Sequence, residues 1–243
     1  MSLVPISFGA ESNPPLVFIH DISGSPFAYL PFGLNALLSQ YTIYGLSSLS
    51  ESSTGKGFGY SSIATWAEAY ATMIESELSE ERIVLGGWSL GGILAAEIAR
   101  IFARRPATSK IRVSGLILLD TYAPWHQLVR TGPQGLEVGG MRVESEYFTR
   151  DELVRIGDVL NHTTRSIWPG VDGIGCSAWL ITPSIAGANG LEEWFADDRR
   201  VRRIGQGNEE CDHFSMMNAK GEWVNQVIAE VSSVLQQIKK NEQ

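Results

Sequence analysis

"RIVLGGWSLGGILAAEIAR", residues 82–100, sets a β-branched apolar run directly against an alanine-rich, helix-forming stretch, with Gly87, Trp88, Ser89, Leu90 and Gly91 at the junction. Packing is one reason for such a junction. A strand that turns tightly into a helix needs small residues so that the two backbones can approach, and glycine takes positive φ without a Cβ clash. Chemistry is the other reason. Gly-x-Ser-x-Gly suits a strained strand-to-helix turn that lifts a serine Oγ above a sheet, with the positive end of the helix beneath it. Because 25 of the 243 residues are glycine, the five-residue pattern takes its meaning from its surroundings.

Working outward from residue 82, apolar runs alternate with helical patterns. Leu16 to His20, Tyr41 to Leu46, Ile83 to Gly87, Val113 to Asp120, Ala178 to Thr182 and Val201 to Ile204 read as strands. Helices are expected near 27–39, 62–79, 90–104, 190–196 and 219–240. The last carries Val224, Val227, Ile228, Val231, Val234, Leu235 and Ile238 on one stripe. Nearly continuous apolar strands separated by helices predict an α/β fold with a mostly parallel sheet covered on both faces. The rhythm breaks once, between Asp120 and Cys176, so residues 122–175 are expected to be a lid inserted into a single domain spanning 1–243. Within it, Thr131-Gly-Pro-Gln-Gly and Gly139-Gly140 read as mobile. Thr149-Arg-Asp-Glu152 fits a capping box, with Phe148 and Leu153 as its hydrophobic staple. The helix that follows would turn Leu153, Ile156 and Leu160 either to the core or to a substrate channel.

A net charge of −8 argues against nucleic acid as a partner, because phosphate binding calls for a basic surface. The run Arg199, Arg200, Arg202 and Arg203 reads as a solvated strand edge. Neither an N-terminal charged-then-apolar leader nor a run of about 20 apolar residues is present, which predicts a soluble, cytoplasmic protein. Cys176 and Cys211 form neither a CxxC pair nor metal-ligand spacing with the four histidines, so no metal site is expected.

A serine nucleophile needs a base within reach and an acid to orient that base. Of the histidines, His20 ends the first apolar strand, and His126 and His162 fall in the expected lid. His213, in "CDHFSMM", lies in a loop that can reach the carboxyl edge of the sheet, so it is the favoured base for Ser89. Asp120 ends the strand after the elbow helix and is the favoured acid. Asp212 is its rival, and Glu192, Glu193 and Asp197 follow another strand from which an acid can come. Oxyanion donors are expected in the backbone N–H groups of Leu90 and, in the loop "HDISGS", of Ile22.

With these residues in place, the chain resembles the thioesterase domains of polyketide synthases and nonribosomal peptide synthetases. "LVFIHDISGSPFAYLPF", "GGWSLGGILAAEIAR", "GLILLDTYAPW" and "CDHFSMM" fall in that family's order over nearly the whole length. "GGWSLGG" with "HFSMM" looks most like the fungal polyketide synthase branch. The resemblance implies an α/β-hydrolase fold and a Ser89, Asp120, His213 triad, with Ile22 and Leu90 as oxyanion donors. It implies no cofactor bound by the domain itself. The substrate would be an acyl chain carried on the phosphopantetheine of an acyl or peptidyl carrier protein, released as an acid, a lactone or a Claisen-cyclised ring. Tyr122, Trp125, Trp168 and Trp194 could line an acyl pocket, together with Leu153 and Ile156. Basic groups at Arg100, Arg104, Arg105 and Lys110 would be the local docking points for an acidic carrier. Asp21 departs from the pattern, standing where many relatives carry Pro or Gly. A carboxylester hydrolase and a non-catalytic binding module of the same fold are the alternative readings.

Overall fold

Strand side chains in this protein alternate between two apolar clusters rather than between core and water. Val17, Ile19, Ile83, Leu85, Leu116, Leu118 and Leu180 enter one cluster. Leu16, Phe18, Val84, Ile117, Leu119, Trp179 and Ile181 enter the other. A period of two with both sets buried means a sheet covered on each face, the arrangement that the continuous apolar runs predict.

The computed structural model describes residues 2–48, 61–106, 109–122, 129–132, 135–138, 141–142, 149–163, 171–183, 195, 200–205 and 211–242. Strands β1 (Ser2–Ser7), β2 (Leu16–Ile19), β3 (Ile43–Ser47), β4 (Arg82–Trp88) and β5 (Arg112–Leu119) precede three short ones, β6 (Val129–Gly132), β7 (Gly135–Val138) and β8 (Met141–Arg142). Strands β9 (Ser177–Pro183) and β10 (Val201–Ile204) follow. The main sheet runs β1-β3-β2-β4-β5-β9-β10, parallel except for β1. Helices α1 (Leu30–Leu34), α2 (Ile63–Glu77), α3 (Leu90–Arg104), α4 (Arg150–Asn161) and α5 (Trp223–Asn241) complete the chain. Buried side chains of α2 and α3 fill the first cluster, and those of α1 and α5 fill the second. Among the described residues no helix is long and apolar enough to cross a membrane.

The seven-residue stripe of α5 is buried throughout, as its spacing predicts. Two elements differ from expectation. The edge strand β1 has no counterpart in the sequence reading, because Pro5 weakens the strand pattern. Proline is tolerated here because β1 lies at the edge of the sheet, where its missing N–H need not serve a second neighbour. The single helix expected at 27–39 is instead a 3₁₀ turn (Phe27–Tyr29), α1 and a second 3₁₀ turn (Ala36–Leu38). Asn35 breaks it by taking extended backbone and accepting the Leu37 N–H on its side chain at 3.0 Å. The helix expected at 190–196 lies outside the described residues, save Phe195, which is not helical.

The segment expected as a lid contains β6, β7 and β8, paired antiparallel in a sheet of their own, and α4. Its capping box is formed: the Thr149 hydroxyl accepts the Glu152 N–H, and Glu152 accepts the Thr149 N–H at 2.7 Å. That reciprocal pair explains how the Glu152 carboxyl can be buried at a helix start. Phe148, the other half of the expected staple, lies outside the described residues.

Candidate active site

At the end of β4 the chain turns into α3 through Ser89, whose φ of 56° and ψ of −124° lie in a region that L-residues other than glycine rarely adopt. Neighbouring backbone holds that conformation. The Ser89 N–H donates to the Leu119 carbonyl on β5 at 3.0 Å, and the Gly92 N–H donates to the Ser89 carbonyl at 3.1 Å. Tyr29 adds a strut not anticipated from the sequence. Its buried hydroxyl accepts the Trp88 N–H at 2.8 Å and donates to the Ile19 carbonyl at 2.7 Å, tying the elbow to the end of β2. Burial pushes the pKa of this phenol far up, so it remains a neutral donor.

Packing accounts for the glycines. A Cβ on Gly87 would run into the backbone of Gly91, and one on Gly91 would run into the carbonyls of Ile19 and His20. Gly92 faces the Thr121 side chain with no room for a methyl group. The elbow can therefore sit this close to β2 only with glycine at these sites.

Asp120 follows β5 with a φ of 36°, its N–H donating to the Ile181 carbonyl at 2.7 Å. Its side chain is fully buried, and three donors hold it. Thr182 Oγ1 donates to Oδ1 at 2.7 Å, while Tyr122 Oη at 3.1 Å and His213 Nδ1 at 2.8 Å share Oδ2. A carboxylate oxygen only accepts, so Nδ1 carries the proton and Nε2 is the basic nitrogen of the neutral ring. The imidazole lies against Trp88, the residue before Ser89, with ring centroids 5.0 Å apart; Tyr122 and Phe214 are equally close. Tyr122, expected at the acyl pocket, thus has its hydroxyl on the Asp120 carboxylate. Burial and the adjacent Asp120 carboxylate raise its pKa strongly.

Asp212 faces a different task. Its Oδ1 accepts the N–H groups of Phe214 at 3.0 Å and Ser215 at 2.7 Å, so it caps the turn that carries His213. Partial burial raises its pKa, but these hydrogen bonds outweigh it and hold the carboxyl below the usual range. The other rival acids, Glu192, Glu193 and Asp197, lie outside the described residues, as do His126, Trp125, Trp168 and Trp194. His162 is exposed at the end of α4, with Nδ1 2.7 Å from the Asp158 carbonyl.

Leu90 opens α3, where the first N–H groups of a helix have no partner within it. Ile22 sits in a turn after β2 closed by a Gly24 N–H to Asp21 carbonyl bond of 3.1 Å, with Gly24 at a φ of 82°. Leu153, Ile156 and Leu160 of α4 belong to the same buried cluster as Ile22, Leu90 and Ile93. That cluster places them in the core.

Of the expected basic docking group, Arg104 and Lys110 are exposed, but the other two are engaged within the fold. Arg100 is buried, paired with Glu97 and bonded to the Asp172 carbonyl at 2.9 Å. Arg105 is held by Glu68 at 2.9 Å and Glu75 at 2.5 Å. Both lie at the far end of α3, whose 15 residues span about 22 Å from Ser89. Arg202 of the second basic run approaches Glu230 at 3.5 Å, and Arg200 lies over the Trp179 ring.

Compared with known families, residues 14–165 match the model of the thioesterase domain. The chain belongs to the thioesterase domain family. A thioesterase of Fusarium pseudograminearum is 35% identical over 116 residues, covering 48% of this chain and 42% of that protein. The nonribosomal peptide synthetase imqB of Aspergillus flavus is 34% identical over 122 residues, 50% of this thioesterase domain and 3% of the synthetase. Among solved structures, the RedJ thioesterase from the prodiginine pathway of Streptomyces coelicolor superposes with a TM-score of 0.61 at 19% identity, covering 96% of each chain. At that identity the likeness establishes the α/β-hydrolase fold of this thioesterase domain.

Proposed function

We propose that Ser89, Asp120 and His213 form a catalytic triad that releases an acyl chain from the phosphopantetheine thioester of a carrier protein. The observation that carries this reading is the 2.8 Å bond from His213 Nδ1 to the buried Asp120 carboxylate, with the imidazole packed on Trp88, the residue before a serine held at a φ of 56°. His213 Nε2 removes the Ser89 proton as Oγ attacks the thioester carbonyl. The N–H groups of Leu90 and Ile22 receive the oxyanion. Collapse of the adduct breaks the C–S bond, His213 returns the proton to the departing thiolate, and the acyl group stays on Ser89 as an ester. Water, or a hydroxyl or carbanion of the chain itself, then attacks that ester, the acyl–Oγ bond breaks, and Ser89 takes back a proton by way of His213. The product is an acid, a lactone or a cyclised ketone according to the acceptor. The segment 122–175 acts as the lid over the acyl chain.

Family membership and the relation to a peptide synthetase support a carrier-bound donor. The test is intact-mass detection of the acyl-enzyme with a panel of acyl-pantetheine thioesters and the matching oxygen esters. Ser89→Ala is expected to abolish the mass adduct and lower kcat by about 10⁴ to 10⁶ while the fold survives. Retention of a tenth of the activity overturns the triad. Equal turnover of oxygen esters moves the assignment to a carboxylester hydrolase.

A further inference from the structure

Outside the triad, the end of β2 holds a second buried imidazole. His20 is fully buried, and its two ring nitrogens have different partners: Nδ1 lies 2.6 Å from the Asp21 carbonyl, and Nε2 lies 2.5 Å from the hydroxyl of Tyr70 on α2. Trp66 packs beside both rings, with centroids 5.8 Å from His20 and 6.1 Å from Tyr70.

The direction of this chain follows from chemistry. A carbonyl only accepts, so Nδ1 donates; the neutral ring then has its lone pair on Nε2, and Tyr70 must donate to it. Burial enforces the neutral form by pushing the His20 pKa down to about 4. The Asp21 carbonyl thus receives His20 Nδ1–H together with the Gly24 N–H at 3.1 Å. Asp21 C=O and Ile22 N–H belong to one peptide unit. In a trans peptide they point in opposite directions, so holding the oxygen sets the direction of the N–H. Among the described residues no acceptor takes the Ile22 N–H, although Ile22 is buried.

We infer that Tyr70 and His20 are positioning residues, a two-member relay from helix α2 that orients the Asp21–Ile22 peptide so that the Ile22 N–H serves the oxyanion. The inference rests on the triad reading above and adds to it residues that never touch the substrate. Tyr70→Phe removes the donor that selects the Nδ1–H tautomer, and the ring can then turn its proton toward Nε2. His20→Leu removes the donor to Asp21. His20→Asn keeps an amide N–H near the position of Nδ1.

The experiment measures kcat and KM on an acyl-pantetheine thioester, the affinity for phenylboronic acid, and the melting temperature. Phenylboronic acid forms a tetrahedral adduct on an active-site serine and places an oxygen in the oxyanion site. Tyr70→Phe and His20→Leu should lower kcat by about 10- to 100-fold, less than the 10²- to 10³-fold of deleting an oxyanion donor. KM should stay within about twofold, and boronate affinity should fall by the same factor as kcat. His20→Asn should retain more of both than His20→Leu. The relay is overturned if Tyr70→Phe and His20→Leu keep wild-type kcat and boronate affinity and lose only melting temperature. It is also overturned if His20→Asn is no better than His20→Leu. Should the wild-type protein neither bind the boronic acid nor depend on Ser89, the triad reading fails and the relay falls with it.

Discussion

Acid is expected to destabilise this protein through His20 in a way that can be isolated. The ring's pKa is about 4 in the folded chain, against an ordinary value near 6.5, because burial removes the solvation that an imidazolium needs. At pH 7 the ring is neutral in both the folded and the unfolded chain. As the pH falls below about 6.5 the unfolded chain takes up a proton that the folded chain does not, and every step down to about 4 favours unfolding. A difference of about 2.5 units at 1.36 kcal/mol per unit amounts to about 3 kcal/mol, a large part of the roughly 5–15 kcal/mol that holds an ordinary domain together. Urea titrations of the wild-type chain and of His20→Asn at pH 7, 5.5 and 4 separate this from every group the two share. The gap between their unfolding free energies should move by about 3 kcal/mol in favour of the asparagine variant as the pH drops. Parallel pH curves for the two proteins would refute the reasoning, because His20 would then titrate alike in both states.

Asp120→Asn should leave the melting temperature nearly intact and lower kcat on the order of 10³- to 10⁴-fold, since an amide can offer its N–H to His213 and stabilise the wrong tautomer; steady-state kinetics beside a thermal melt check both halves. Gly91→Ala places a methyl group against the carbonyls of Ile19 and His20. It should cost at least about 1–3 kcal/mol by chemical denaturation and depress activity, and a wild-type denaturation midpoint would count against the close approach of α3 and β2. Asp21 carries a carboxyl whose pKa is raised by burial, although the hydrogen bonds from Ser23 work the other way. The buried carboxyl therefore costs stability at neutral pH, and that cost is recovered as the pH falls toward the ordinary carboxylate value. Asp21→Asn should melt higher than the wild-type chain at pH 7, with the gap closing as the pH falls toward about 4, as followed by calorimetry.

Sequence alone determined the parallel sheet, the exact span of α3, the buried stripe of α5 and the capping box at Thr149, and it singled out Ser89, Asp120 and His213 as candidates. Each of these depends on local rules: a period of two or 3.6, a cap three residues from its partner, glycines around a tight turn. What tertiary structure decided depends on atoms far apart in the chain. Edge strand β1 exists because Ser2–Ser7 finds β3 some forty residues on, and Pro5 weakens its own strand signal. The end of a strand favours Asp120 over Asp212 in the sequence, but only the folded loop gives Asp212 to the N–H groups of Phe214 and Ser215 and brings His213 across 93 residues to Asp120. The roles of Tyr29, Tyr70, Tyr122 and Thr182 were illegible for the same reason. A hydroxyl on an apolar helix or strand face looks like ordinary core, and only the three-dimensional packing shows whether it meets a backbone amide, an imidazole or a carboxylate once water is gone. Arg100 and Arg105 look like free surface charge in the sequence, but folding sets them against Glu97, Glu68 and Glu75. Periodicity tells which side of an element is buried. Partner choice among polar groups is settled by distances of a few ångströms between distant segments, and no local pattern encodes them.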